Sequence, residues 1–162
     1  MTRMNGGGRL STLSLRSYIK KQVTELLELK PSTIEVYVDK GLVTPEVDNP
    51  GGKGTRRRYS LGNLFEFLLI QKLVLYGLSL AKIKSVLEKL RTDNHLDANG
   101  WKNSDVTFLV IYNTESKADE PLIEPVIGTR RDRGIGLVIP RDADGALIVR
   151  LSDLHEKLSK ID

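Results

Sequence analysis

Pro31 and Gly41 bracket a stretch of chain, Ser32–Lys40, with room for only about two and a half helical turns. Proline disfavours helical geometry in the residue before it, so a helix arriving from the N-terminal side stops ahead of Pro31. Glycine readily takes the left-handed conformation that closes a helix, so Gly41 ends the next one. Upstream, Tyr18, Ile19, Val23, Leu26 and Leu27 recur at helical spacing and predict a first helix over Leu15–Leu27. Ser32 and Glu35 have the S-x-x-E spacing of a capping box. That predicts a second helix over Thr33–Lys40, with Ile34, Tyr37 and Val38 facing inward. Two short helices joined by a tight turn read as a helix-turn-helix.

The following segment predicts a hairpin, or wing. Asp48–Gly54 is dense in turn formers and leads directly into Arg56, Arg57, Arg58 and Tyr59. Ser60 then caps a long helix in which Leu61, Leu64, Phe65, Leu68, Leu69, Lys72, Leu73 and Tyr76 recur every three or four residues, and Gly77 closes it. Ser79 opens a further helix through Ile83, Val86, Leu87 and Leu90, with Leu78 placed as a hydrophobic staple toward Ile83. Arg91–Ser104 is polar and reads as a linker. Beyond it the pattern changes to short β-branched and aromatic runs. Strands are expected at Val106–Tyr112, Leu122–Ile127, Ile135–Ile139 and Ala146–Leu151, with a hairpin turn at Asp142–Gly145. Leu151, Leu154, Leu158 and Ile161 predict a terminal amphipathic helix opened by Ser152 or Asp153.

Charge is unevenly placed along the 162 residues. Residues 1–90 hold 15 Lys and Arg against 8 Asp and Glu, whereas residues 91–162 hold 10 against 13. A basic front half points to a polyanionic partner, or to nothing more than a solvated basic surface. The absence of cysteine excludes a disulfide framework, a thiolate metal site and a cysteine nucleophile. Two histidines, His95 and His155, are too few for most imidazole metal sites. Met1–Leu10 lacks the apolar core of a signal peptide, and Leu61–Leu80 is interrupted by Glu66, Gln71 and Lys72, so no membrane span is expected. A cytoplasmic protein without membrane contact is the expectation.

The order of these elements and the residues themselves resemble the MerR family of transcription regulators, over about residues 18–90. The pieces that carry the resemblance are Pro31–Leu42, Arg57–Ser60, Leu64–Ile70 and Leu75–Ile83. The resemblance implies a winged helix-turn-helix that binds double-stranded DNA as a homodimer on an inverted repeat, with contact to RNA polymerase and response to a small-molecule or protein effector as further family traits. It makes the helix at Ser32–Thr33 the recognition helix in the major groove and the arginine turn a phosphate-gripping wing. Three positions depart from the family pattern. Glu35 stands where arginine is usual, Val36 where an aromatic is usual, and Glu28 where the inter-helix turn usually has glycine. A long dimerising helix, usual after the position of Leu90, is not expected here.

Side chains alternate faces along a hairpin, so at most two of the three arginines can face one phosphate backbone; Arg57 is the foremost candidate, then Arg56, with Arg58 the last. Lys30, Ser32 and Thr33 lie where a helix N-terminus favours anions. Lys20 and Lys21 add charge from the first helix, and Lys40 from the end of the second. Tyr37 and Tyr59 combine a packing ring with a hydroxyl. Glu35 is either a capping partner or an acceptor for a cytosine amino group, and Val36 lies beside it. Catalytic groupings fail on spacing: Ser152, Asp153 and His155 are neighbours on one helix that point apart, and Gly134-Ile135-Gly136 lacks the rest of a dinucleotide fingerprint. No enzyme, metal or cofactor is expected.

The expected fold is thus α+β: a flexible arm (1–12), a winged helix-turn-helix domain (13–91), a linker (92–104) and a small α/β domain (105–162) for dimerisation or effector sensing. A sequence-specific regulator is the leading reading. An architectural or protein-interaction factor without promoter switching is the alternative.

Overall fold

The computed structural model describes residues 17–45, 56–97, 100–101, 106–114, 122–127 and 143–161. The expected arm, the wing tip and the strand expected at Ile135–Ile139 lie outside these residues.

The chain enters through a short strand, β1 (Tyr18–Ile19), and only then coils into α1 (Lys20–Leu27). The first helix therefore starts later than its apolar spacing predicted. Tyr18 and Ile19 pair antiparallel with Tyr59 and Arg58 across a strand formed by the wing's return arm. The Gln22 side chain accepts from the Ile19 N–H at 2.9 Å and starts the helix there. Both strand residues suit extended backbone, so a partner strand decides between the two conformations.

The turn out of α1 has Glu28 in left-handed backbone, φ 55° and ψ 34°. The second helix, α2 (Pro31–Asp39), begins earlier than expected, with Pro31 at its first position and extended Lys30 before it. Proline lacks the N–H that would go unsatisfied there and has its φ already set for the helix. The Ser32–Glu35 capping box does not form, because both residues are already inside the helix. Gly41, at φ 68°, closes α2 as expected. Its N–H donates to the Val38 carbonyl at 2.8 Å, and the Leu42 N–H donates to Tyr37 at 2.9 Å. These are the paired bonds of a Schellman closure.

The return arm, β2 (Arg58–Tyr59), pairs with β1. It feeds α3 (Leu61–Leu75), whose cap matches the sequence reading. The Asn63 N–H donates to Ser60 Oγ at 3.2 Å, and Asn63 Oδ1 accepts from the Ser60 N–H at 3.1 Å. Helix α3 is buried from Gly62 to Ile70 and again at Leu73. A helix that is apolar on every side must be covered on every side, and α1, α4, α5, β2 and β4 all touch it. Gly77, at φ 83°, ends it. Ser79 then caps α4 (Leu80–Thr92), which turns Ile83, Val86, Leu87 and Leu90 into the core.

The polar segment expected as a linker carries structure of its own. β3 (Leu96–Asp97) and β4 (Gly100–Trp101) form a small antiparallel pair, with Leu96 and Trp101 buried. Trp101 lies against Phe65 of α3, ring centroids 5.9 Å apart. Beyond it, β5 (Val106–Thr114) is the middle strand of an antiparallel sheet between β6 (Leu122–Ile127) and β7 (Ala143–Arg150). β7 begins at Ala143, so Ala143–Gly145 is strand, not the expected turn. The long β5 supplies pairing partners as far as Thr114, with a bulge between Asn113 and Thr114 that absorbs the Asp144-Gly145 step. The terminal helix α5 (Ser152–Ser159) starts at Ser152 without a side-chain cap. Leu154 and Leu158 join a core that runs continuously from Tyr18 through α3 to Leu109, Ile111 and Val149.

Candidate nucleic-acid interface

Helix α2 lies with Ile34 and Tyr37 in the core and with Ser32, Glu35, Val36 and Asp39 exposed. Those exposed positions are spaced by three, four and seven residues, so they form one outward stripe. The Tyr37 ring packs at 6.4 Å from Phe67, and burial pushes its hydroxyl pKa above the ordinary value. Thr33 is half-buried, while Lys30 and Lys40 are exposed at the two ends of the helix.

Beside this stripe the first helix and the return arm enclose a groove of about 470 Å³. It is lined by Ile19, Lys20, Lys21, Glu35, Arg56, Arg57 and Tyr59. Six of the residues singled out in the sequence therefore meet on one surface: Lys20, Lys21, Glu35, Arg56, Arg57 and Tyr59. Four of them are cations. Lys30, Ser32, Thr33, Val36 and Lys40 border this surface along α2 rather than line the groove.

The three consecutive arginines do not alternate faces, because only Arg58 lies in a strand and Arg56 and Arg57 precede it. Arg57 opens onto the groove and comes within 3.9 Å of Asp39. Arg56 is exposed on the same rim. Arg58 instead donates to Ser17 Oγ at 3.1 Å, alongside the β1–β2 pairing. Tyr59 corrects a sequence expectation: it is 1% exposed and packs edge-on against Phe67 at 5.5 Å. Its ring floors the groove from within the core, so its part is to support the surface.

Glu35 also departs from the capping role considered for it. Its carboxylate accepts from Lys20 Nζ at 2.5 Å, and both side chains are about half exposed. That hydrogen bond and the lysine charge, with a smaller contribution from Arg57, hold the carboxyl below the usual Glu range. Sequence reasoning missed Asp39, although its place four residues after Glu35 puts it on the same side of α2.

A second group secures the root of the wing. Arg91, from the last turn of α4, donates through Nε to Glu66 Oε1 at 2.8 Å and through Nη2 to the Leu42 carbonyl at 2.6 Å. Asn63 Nδ2 reaches Glu66 Oε2 at 3.2 Å and the Thr44 carbonyl at 3.0 Å. The backbone leaving α2 is thereby tied to α3 and α4. The only hint in the sequence is an acid, Glu66, inside an otherwise apolar run.

Among the described residues no group of His, Asp and Glu is arranged to hold a metal ion. No helix among them is long and apolar enough to cross a membrane.

A short exposed helix flanked by a cationic groove, mounted on a helical core, defines a helix-turn-helix domain of the DNA-binding type. Residues 18–90 match the family model of the MerR HTH family regulatory protein, a family of DNA-binding transcription regulators. No curated protein matches the chain.

Proposed function

We propose that the protein binds duplex DNA as a homodimer at an inverted repeat and regulates transcription from that site. The observation that carries this reading is the outward stripe of α2 beside the groove that gathers Lys20, Lys21, Arg56 and Arg57. In this reading α2 enters the major groove. Val36, an apolar residue 42% exposed at the middle of the stripe, meets a thymine methyl or another apolar base edge. Arg57 and Arg56 take the phosphates beside it, and Lys20 and Lys21 take those across the first helix. The module formed by β5–β7 and α5 then serves dimerisation, effector sensing or both, and contact with RNA polymerase belongs to the same reading. Such a protein works on DNA in the cytoplasm.

Anisotropy titrations with labelled duplexes over a range of salt test it. With Lys20 held by Glu35, Arg57, Arg56 and Lys21 make three full phosphate contacts per subunit and predict that log affinity falls with log salt at a slope near −5 for a dimer. Arg57→Ala is expected to weaken binding alike on all sequences and to flatten that slope by about 0.9 per subunit. Val36→Ala, and Thr33→Ala beside it, are expected to change the order of preference among sequences selected from genomic DNA. A salt-independent signal, or none, refutes the reading. Equal affinity for every duplex, with the salt slope intact, favours the architectural alternative. Sedimentation with and without DNA measures the dimer.

A further inference from the structure

We propose that Glu35 and Asp39 act as built-in phosphate stand-ins, which hold the interface cations in the free protein and so suppress binding to arbitrary DNA. This rests on the DNA-binding reading above and adds a specificity device to it.

The two acids lie four residues apart on the exposed side of α2, and each faces a cation from a different neighbouring element. Lys20 reaches Glu35 from α1 at 2.5 Å, and Arg57 comes within 3.9 Å of Asp39 from the wing's return arm. Neither acid has a structural task that accounts for its position. The cap of α2 is set by Lys30 and Pro31, and the partners of both pairs are well exposed, where ion pairs contribute little to stability. An acid on a helix inserted between two rows of phosphates is repelled unless its charge is cancelled. Here each is cancelled by a cation that the phosphates also attract.

Binding to DNA is then an exchange for these two cations: carboxylate out, phosphate in. A cation already neutralised contributes less counterion release, and counterion release drives nonspecific affinity. The same cost falls on a matching site, but there base-edge contacts offset it, whereas arbitrary duplex offers none. The groove retains Arg56 for general attraction, while Lys21 lies 3.9 Å from Glu25 of its own helix.

Random-sequence duplex is the probe, with Glu35→Gln, Lys20→Gln, the double variant, and Glu156→Gln on α5 as a control for net charge. Glu35→Gln is expected to tighten binding to random duplex by severalfold to about tenfold at moderate salt, and to steepen the salt slope by about 0.9 per subunit, as Lys20 becomes free for phosphate. The double variant returns both quantities close to those of the unaltered protein, and Glu156→Gln leaves them unchanged. If Glu35→Gln binds random duplex no better than Glu156→Gln does, the proposal is wrong. It is equally wrong if Glu35→Gln weakens only a selected sequence, because Glu35 then reads a base. An unaltered protein that binds no duplex at all removes the DNA-binding reading itself, a result distinct from either.

Discussion

At the scale of single residues, Glu28 carries the clearest backbone strain. A left-handed conformation costs an ordinary side chain about 1 kcal/mol or more, whereas glycine adopts it freely. Glu28 has no cap or ion pair to offset that strain among the described residues, and its side chain is exposed. Glu28→Gly is therefore expected to raise the unfolding free energy by about 1 kcal/mol, with a midpoint 2–4 °C higher in thermal denaturation. Glycine's larger unfolded-state entropy trims the gain without reversing it. The opposite sign is expected at Arg91. Its loss leaves the Glu66 side chain, 8% exposed, without its guanidinium partner, and breaking such a pair from one side costs roughly 3 kcal/mol. Arg91→Ala should show that loss in urea unfolding. Replacing both residues by apolar ones of similar size should recover much of it.

At the scale of elements, two serines that look alike in sequence differ in role. Ser60 is a true cap, buried and bonded reciprocally to Asn63. Ser60→Ala is expected to cost about 1–2 kcal/mol. Ser32 is exposed inside the first turn of α2 and caps nothing, so Ser32→Ala should leave stability within about 0.5 kcal/mol of the starting value. Chemical denaturation of the two variants side by side separates a cap from a spacing coincidence. The S-x-x-E pattern was outcompeted because Pro31 fits the first helical position better than the position before a cap. A comparable competition produced β1: apolar spacing alone suits Tyr18 and Ile19 to a helix, but β2 offers them a partner.

At the scale of the whole molecule, α3 joins the two halves of the chain. α1, β2 and α4 cover one part of it, and β4 and α5 cover another. Lys72 of α3 donates to the Arg150 carbonyl at 3.2 Å and to Asp153 at 3.0 Å, which fixes α5 in place. His155 of α5 lies against Phe65, centroids 5.4 Å apart, and burial pushes its imidazole pKa below the usual value. The unfolded chain takes up that proton near pH 6.5 and the folded one only at lower pH. Stability from this group is complete above about pH 6.5 and declines as pH falls through the shifted value. Unfolding free energies measured between pH 7.5 and pH 5 should show the decline, and His155→Gln should flatten it. Asp153, held low by the Lys72 hydrogen bond, adds a further loss only in the acid range below the ordinary carboxylate pKa.

The sequence by itself determined the helix-turn-helix: the interval between Pro31 and Gly41, the caps at Ser60 and Ser79, the closures at Gly41 and Gly77, and the three- and four-residue apolar spacing of α3 are all local signals. The cationic residues of the candidate site were legible for the same reason, since a run such as Arg56-Arg57-Arg58 needs no partner to be noticed. Only the tertiary structure decided what each of these residues meets. It sent Tyr59 and Tyr37 inward onto Phe67, set Lys20 on Glu35 and brought Arg57 to Asp39, over sequence separations that no periodicity encodes. It also built a strand pair from a polar stretch, because Trp101 finds Phe65 of α3, which lies far from it along the chain, and Leu96 is buried with it. Local propensities act within a few residues, whereas burial and charge pairing depend on which distant surfaces come together.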